Sequence, residues 1–512
     1  MEAGYYHIAD TTVIDALEYQ LCHVFESMEE TDEINAFRVY DTFDWRMYRK
    51  GWQLHHQDGH YEIVDQATEQ IISYIGVSDT KNRKFHWDFP DSQFSKALAQ
   101  VAEMRALLPV AEVVRRTLRL HLRNKDEKIV ARLDVETFSD KENTTTVMRC
   151  RPVPVRGYKK KLRQVVSVIE ELSLPEESKN PVLAILEEGD RRPGDYSSKI
   201  NIALQPELSA KAAVKLIMKD LVEIMHINQA GVLDDVDSEF LHDFRVSIRR
   251  ARSLLGQIKD VLDAETTATL QNRLKTIGGV TGEVRDLDVY LLKKSEYVRL
   301  VPEALTPGIV QLFQILERKR RYARNRMVKA MDGDDFAVAL KELDTFIQDD
   351  PVASPILDRE PSAGHLPIMT VAKKVITKRY RRVIKKGREI TESTPDVKLH
   401  DLRIDCKKLR YLLEFFSSLF PENQMKALIK QLKELQENLG DFNDLSVQQA
   451  FLVNLLDTTS PTSANAAALS SAIGGLITQL SMAHQRVRSQ FLSVFETFDT
   501  PDNKKRFKRL FA

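Results

Sequence analysis

Two eleven-residue stretches concentrate the side chains that could do chemistry. His242-Asp243-Phe244-Arg245-Val246-Ser247-Ile248-Arg249-Arg250-Ala251-Arg252 and His400-Asp401-Leu402-Arg403-Ile404-Asp405-Cys406-Lys407-Lys408-Leu409-Arg410 each join one imidazole to four cationic groups. On a helix, at about 100° per residue, His242, Arg245, Arg249 and Arg252 fall within an arc of about 80°. His400, Arg403, Lys407 and Arg410 fall in the same arc of the second stretch. The opposite faces are apolar: Phe244, Ile248, Ala251, Leu254, Leu255 and Ile258 in one, Leu402, Cys406, Leu409, Leu412, Leu413 and Phe416 in the other. Like charges stacked at i+4 repel by a few tenths of a kcal/mol, so a solvated face normally mixes Glu with Lys. A solvated face is the plain reading of one such helix, but an acid-free stripe kept twice calls for a polyanion. Guanidinium forks and ammonium charges suit phosphate groups. The histidines would then add donors to the stripe, the alternative being a core or capping role. Neither has a second His or Cys at i+3 or i+4, so no metal site is expected, and no paired base or nucleotide site marks a phosphoacceptor.

The elements that carry these residues repeat. The two stretches are 158 residues apart, and Gly282-Glu283-Val284-Arg285-Asp286-Leu287 matches Gly440-Asp441-Phe442-Asn443-Asp444-Leu445 at the same offset. Leu274-Lys275 falls on Leu432-Lys433, and Lys215 on Lys373. Asn443 standing where Arg285 stands is a departure between the copies. Helical periodicity dominates after Pro206, over 209–228, 237–262, 265–280, 286–296, 303–330 and 335–348, then over 368–390, 397–419, 422–439, 444–456 and 466–497. Two similar helical bundles related by a pseudo-twofold axis are predicted, 206–348 and 368–512, split by a loop at 349–367. If the motif helices face each other, their stripes line a shared groove. Further cations lie at Arg318–Lys329, at Lys373–Arg388 and on the i, i+4, i+8 series Lys211, Lys215 and Lys219.

Residues 1–205 differ in character. Strand patterns occur at Phe37–Tyr40, Trp52–His55, Tyr61–Ile63, Arg116–Arg123, Lys128–Val135 and Val147–Val155, with helical patterns at Asp91–Leu108 and Lys159–Leu172. Asn124–Glu127 joins two alternating strands as a hairpin. The expectation is an α+β unit with a curved or barrel-like antiparallel sheet.

The chain has 512 residues and equal numbers of Lys+Arg and Asp+Glu, 75 each. This neutrality does not exclude a polyanion, because the charges are segregated: residues 1–37 hold nine acids and no Lys or Arg, and residues 361–388 hold nine Lys or Arg and no acid. The three isolated cysteines, Cys22, Cys150 and Cys406, exclude a disulfide framework and a thiolate zinc site. The acidic N-terminus does not resemble a secretory signal, and no apolar run of about 18 residues suggests a membrane span. A cytoplasmic location follows as the expectation.

HDFRVSIRRAR, HDLRIDCKKLR, TGEVRDLDV (281–289) and LGDFNDL (439–445) resemble CHAD domains, over about 206–512. The resemblance implies an all-α fold of two pseudo-twofold-related four-helix bundles whose basic central surface binds inorganic polyphosphate, free or in granules. It places binding on His242, Arg245, Arg249, Arg250, Arg252, Arg285, His400, Arg403, Lys407, Lys408 and Arg410, to which the repeat adds Lys215, Lys275, Lys373 and Lys433. Residues 37–54 (FRVYDTFDWRMYRKGWQL) and VRGYKKKL (155–162) resemble the CYTH, or triphosphate-tunnel, family over about 1–205. Active members are metal-dependent triphosphatases or adenylyl cyclases with an ExExK strand at the N-terminus. Here Tyr5-Tyr6-His7-Ile8-Ala9-Asp10 holds that place, and Met148-Arg149-Cys150-Arg151-Pro152-Val153 replaces a late acidic strand. Arg38, Arg46, Arg49, Arg116 and Arg119 could hold an anion or simply form a polar strand face. The expectation is therefore a polyphosphate-binding protein with no catalytic residues, metal or cofactor. A metal-dependent triphosphatase or polyphosphatase fed by the helical half is the first alternative. A nucleic-acid-binding protein is the second, weakened by the scattered aromatics Tyr322, Tyr380 and Tyr411. The sequence leaves the oligomeric state open.

Overall fold

The computed structural model describes residues 4–77, 84–142, 144–177, 179–189, 191–348, 363–457 and 464–511. Most of the loop expected at 349–367 thus lies outside the described residues. The chain divides into two compact units, Met1–Ser197 and Ser198–Ala512.

The first unit runs β1 (Tyr5–Ile8), α1 (Thr11–Val24), β2 (Ser27–Thr42), α2 (Arg46–Lys50), β3 (Trp52–Gln57), β4 (His60–Asp65), β5 (Ile71–Gly76), α3 (Gln93–Ala102), β6 (Leu107–Arg123), β7 (Ile129–Asp140), β8 (Thr146–Val153), α4 (Lys159–Glu171), β9 (Glu176–Glu177) and α5 (Pro181–Glu188). The strands form one antiparallel sheet in the order β5-β4-β3-β2-β6-β7-β8-β1-β9. Helices α1 and α4 cover one face through Leu17, Leu21, Val165 and Ile169, packed on Leu120, Leu122, Leu133 and Cys150. The sheet is not a closed barrel, contrary to the sequence expectation. Its edges are β5 and the two-residue β9, and α5 packs Val182, Ile185 and Leu186 on the other face against Phe37, Val113 and Phe138. Side chains rather than a backbone ladder join the curled ends: Arg149 on β8 pairs with Glu69 in the β4–β5 turn at 2.5 Å.

Local pairing explains much of the charge in this unit. The acidic stretch at the start of β2 lies along the basic β6 over its whole length, from Ser27 opposite Arg123 to Thr42 opposite Leu107. Asp32 accepts from Arg116 at 2.8 Å, Glu29 pairs with Arg123, and Asp134 on β7 accepts from Arg119 at 2.6 Å. Arg116 and Arg119 are therefore engaged within the sheet, as cross-strand pairs of opposite charge favour. Arg46 pairs with Asp44 and Glu103, and Arg49 donates to the Tyr196 carbonyl. Asp41 of the YDT stretch is buried and accepts the N–H groups of Thr42, Met47 and Tyr48, so it organises the turn into α2.

The second unit is helical: α6 (Ala210–Leu233), α7 (Ser238–Gln257), α8 (Ala264–Val280), α9 (Gly282–Leu292), α10 (Lys294–Leu300), α11 (Thr306–Met331), α12 (Asp334–Gln348), α13 (Ile368–Arg388), α14 (Asp396–Phe415), α15 (Glu422–Asp457), α16 (Ala464–Phe498) and α17 (Pro501–Phe511). Four pairs of equivalent helices begin 158 residues apart: α6 and α13, α7 and α14, α8 and α15, α11 and α16. In the first half α6, α7, α8 and α12 pack in a ring, each on the next. In the second, α13, α14, α15 and α16 pack in succession, and Phe495 of α16 lies against Gly387 of α13, where a Cβ would stand 2.0 Å from its ring. Equivalent helices also meet each other, α7 with α14 and α11 with α16, the contact pattern of a two-fold arrangement.

One difference between the halves was not expected. The stretches 422–439 and 444–456 form the single helix α15, whereas the first copy breaks between α8 and α9 at Thr281. There Arg245 donates to the Gly278 carbonyl at 3.0 Å and to Thr281 Oγ1 at 2.9 Å, satisfying groups at the break. In the second copy buried Leu439 takes the place of Thr281, and the helix continues. A second difference concerns α16, whose segment Ala466–Phe498 is long and apolar enough to cross a membrane by length and composition. It packs on α11 and α15 with Ala472, Ile473, Leu476 and Leu480 buried, and about a third of its most apolar stretch is buried in this way.

Candidate functional site

The motif helices are shaped by their caps and cores. Asp237 starts α7 by accepting the N–H groups of Glu239 and Phe240, and Pro395 precedes α14. Phe244, Ile248, Ala251 and Leu254 on α7, and Leu402, Cys406, Leu409 and Leu413 on α14, are buried. That fixes the cationic arcs on the remaining faces, where α7 and α14 meet. Between them and α8 lies a cavity of about 620 Å³ lined by Arg249, Arg252, Lys275, Lys407 and Lys408, together with Ser253, Gln257, Gln271, Asn272, Ile404 and Tyr411.

Both copies contribute charge to this groove, and their charges are felt across it. Among the described residues, none of Arg249, Arg252, Lys275 and Lys407 has a carboxylate within ion-pairing distance. Burial, then the charges of Arg403 and of Arg249 on the facing helix, push the Lys407 ammonium down to about 8. Burial followed by Arg249 also lowers Arg245, and burial lowers Arg403 although Asp444 opposes it. Lys408 is lowered by burial and then by Arg379. Such crowding disfavours the charged forms and is relieved by an anion.

The other predicted residues divide into flanking and structural ones. At one end His242 Nδ1 lies 2.8 Å from Arg285 Nη2, and His400 Nδ1 lies 2.6 Å from Asn443 Oδ1. Arg285 also donates to the Ser238 carbonyl, and Arg403 reaches Asp444 at 3.4 Å. Arg250 turns away to the Ser198 carbonyl and to Glu414, which also pairs with Arg410 at 3.3 Å. Lys215 is buried with its ammonium 5.2 Å from the centre of the Phe346 ring, and Lys433 is exposed beside Glu437 at 3.4 Å. Neither these two nor Lys373 lines the groove.

Sequence reasoning missed Ser253, Gln257, Gln271, Asn272 and Tyr411. Ser253 and Gln257 continue the Arg249 stripe at i+4 and i+8, a signal that attention to charge alone passes over. It also counted as available several cations that are paired internally. Arg320 is held by Asp235 and Asp288, Arg324 by Asp235, and Arg326 by Glu283. On α13, Arg379, Arg382 and Lys386 surround buried Asp405 of α14.

The first unit has its own cavity of about 620 Å³, lined by Glu33, Asp58, Glu62 and Glu69, with Arg115 the one arginine among the described residues of the lining. His55 in this lining is pushed down to about 4 by burial and then Arg115, so it adds no charge near neutrality. Glu136 and Glu69 are both taken up by buried Arg149, whose guanidinium also lies 3.6 Å from the centre of the Tyr5 ring. Among the described residues no group of three or more His, Cys, Asp or Glu is arranged to hold a metal ion.

Residues 217–453 match the family model of the CHAD domain. Among solved structures, the chain is similar to the CHAD domain from the plant Ricinus communis at 22% identity, with a TM-score of 0.48, over 58% of this chain and 95% of that one. It is also similar to PptA from Streptomyces chartreusis at 16% identity, with a TM-score of 0.43, over 56% of this chain and 100% of that one. No curated protein matches the chain. By the match to the family model, the helical unit contains a CHAD domain at residues 217–453, and every cation lining the groove lies within it.

Proposed function

We propose that the protein binds inorganic polyphosphate in the groove between α7 and α14, without catalysing its hydrolysis. The observation that carries this reading is the meeting of Arg249, Arg252 and Lys275 from one copy with Lys407 and Lys408 from the other around one cavity. Groups crowded enough to depress Lys407 gain by taking up a dense anion, whose condensed counterions are released on binding. A bare phosphate chain needs cations and donors but no stacking platform, and the groove offers a single aromatic side chain, Tyr411. The first unit is read as a CYTH-like sheet that has lost triphosphate chemistry. Its cavity has the wrong sign for a triphosphate, and its inner acids Glu69, Asp134 and Glu136 are paired with arginines rather than grouped for a cation.

The test is a competition between labelled long-chain polyphosphate and single-stranded RNA at equal phosphate concentration. Polyphosphate is expected to remain bound under an excess of RNA. Displacement by RNA at parity would assign the groove to nucleic acid instead.

A further inference from the structure

A second cationic surface lies on the far side of α13. Lys374, Lys378, Arg381 and Lys385 are spaced i, i+4, i+7 and i+11, which puts them within about 60° on the helix. All four are exposed, and among the described residues none is paired with a carboxylate. The pairs of α13 are made by its other arc, where Arg379, Arg382 and Lys386 hold Asp405, and at its end, where Arg388 holds Asp499. Helix α17 seats beside this face, with Phe507 stacked on Tyr380 at 3.8 Å between ring centres. Arg381 and Lys385 of α13 and Lys504 of α17 line a common hollow of about 490 Å³, which also includes Arg388 with its partner Asp499, and Glu389.

This face is linked to the groove by charge. Lys408, in the groove lining, is within electrostatic reach of Arg379, Arg382 and Lys386. Those three sit on the arc of α13 next to the exposed one. Asp405 offsets one of their three charges, so a net positive band runs from the groove across α13 to α17. Four successive positions of this arc carry cations, and the first acid at helical spacing is Glu389, just past the end of the helix and four residues after Lys385.

We infer that the outer arc of α13 with the start of α17 is a second anion track, which takes the overhang of a phosphate chain too long for the groove. This rests on the polyphosphate reading of the groove and adds chain-length selection to it. A short chain fills the groove alone. A long chain engages both surfaces at once, so its binding gains from the linked second contact and depends more steeply on salt.

The experiment titrates the full chain with tripolyphosphate and with long-chain polyphosphate, for wild type and for the variant Lys378→Glu/Arg381→Glu/Lys385→Glu. Among the described residues these exposed side chains make no ion pair, so the fold is expected to hold, and a thermal melt checks it. Long-chain affinity is expected to fall roughly tenfold or more with a shallower salt slope, and tripolyphosphate affinity to stay within about twofold. An unchanged long-chain affinity, or an equal loss for both ligands, would overturn the track. A wild type that binds neither chain would instead reject the groove reading on which it rests. Loss of binding to phosphatidylserine vesicles, with long-chain polyphosphate binding intact, would assign the face to a membrane surface and overturn it as well.

Discussion

Arg285 Nη2 lies 2.8 Å from His242 Nδ1, and in the second copy Asn443 takes that place with its Oδ1 2.6 Å from His400 Nδ1. A guanidinium can only donate, so His242 Nδ1 accepts and its proton sits on Nε2. Asn443 Nδ2 donates to Asp444 at 3.3 Å, which turns its carbonyl toward His400 and makes that Nδ1 the donor. The copies thus hold their histidines in opposite tautomers, and the departure noted in the sequence at Asn443 has a physical consequence.

Nitrogen-15 NMR of the two imidazoles is the direct check. Neutral His242 is expected as the Nε2–H form and neutral His400 as the Nδ1–H form. Arg285→Asn is expected to change the first and to weaken polyphosphate binding several-fold. Identical tautomers in the wild type would contradict the assignment.

Lys407 makes binding depend on pH. Burial and the facing cations bring its ammonium down to about 8 from 10.5, so the folded protein holds this proton less tightly than the unfolded chain. The charge therefore weighs against folding below about pH 8, and that penalty fades as pH rises from 8 toward 10.5. A bound polyanion favours the protonated form, so affinity is expected to fall between pH 7 and pH 9. Lys407→Arg should flatten the profile over that range. The same fall in the variant would remove Lys407 from the site.

Asp405 is the counter-charge of the cationic cluster. Burial works against its ionisation, but Lys386 at 2.6 Å, Arg379 and Arg382 at 3.0 Å outweigh it and hold the carboxyl below its usual range. Its contribution to stability is present above the unfolded value of 3.8 and is lost as pH falls through the folded one. Asp405→Asn leaves three cations facing no charge and is expected to cost about 3 kcal/mol, read by denaturant unfolding. A loss within about 0.5 kcal/mol would show that solvent or rearrangement screens the cluster.

Position within the groove separates lysines and arginines that look alike in sequence. Arg249→Glu is expected to weaken polyphosphate binding at least tenfold, whereas Lys433→Ala, outside the groove and beside Glu437, should leave it within about twofold. Equal effects in a titration would show a diffuse rather than a localised site.

Arg149 is expected to be structural. It is 2% exposed, bound to buried Glu136 and to partly exposed Glu69, and stacked on Tyr5, so Arg149→Ala should destabilise the first unit by about 3 kcal/mol, chiefly by stranding the Glu136 carboxylate. With tripolyphosphate and Mg²⁺ or Mn²⁺, the wild type is expected to release no phosphate. Sustained release would return the triphosphatase reading to first place.

The helical half was legible because duplication exposes itself. Matched motifs gave the offset, and the structure starts the two motif helices at equivalent positions, Ser238 and Asp396. The stripes carrying Arg249 and Lys407 were legible too, whereas their facing each other was only a condition in the sequence and is supplied by the packing of α7 on α14. What periodicity could not show was pairing between distant residues. Arg116 and Arg320 read as available cations until Asp32 and Asp235 are placed beside them by the fold. The acidic run at Glu29–Glu33 gave no alternation of apolar residues, and it becomes a strand because β6 supplies the opposite charges. Closure of the sheet was likewise not written in strand patterns, since it depends on α5 and on how its edges end.

The most direct measurement of the central claim is the affinity for long-chain polyphosphate as a function of salt, in wild type and in Arg249→Glu/Lys407→Glu. In the wild type log K should fall steeply and linearly with log salt. In the variant, affinity should drop by about a hundredfold or more and the slope should become shallower by at least about one unit. Unchanged affinity and slope in the variant would contradict the account, because the groove between the two copies would then not be where the polyanion binds.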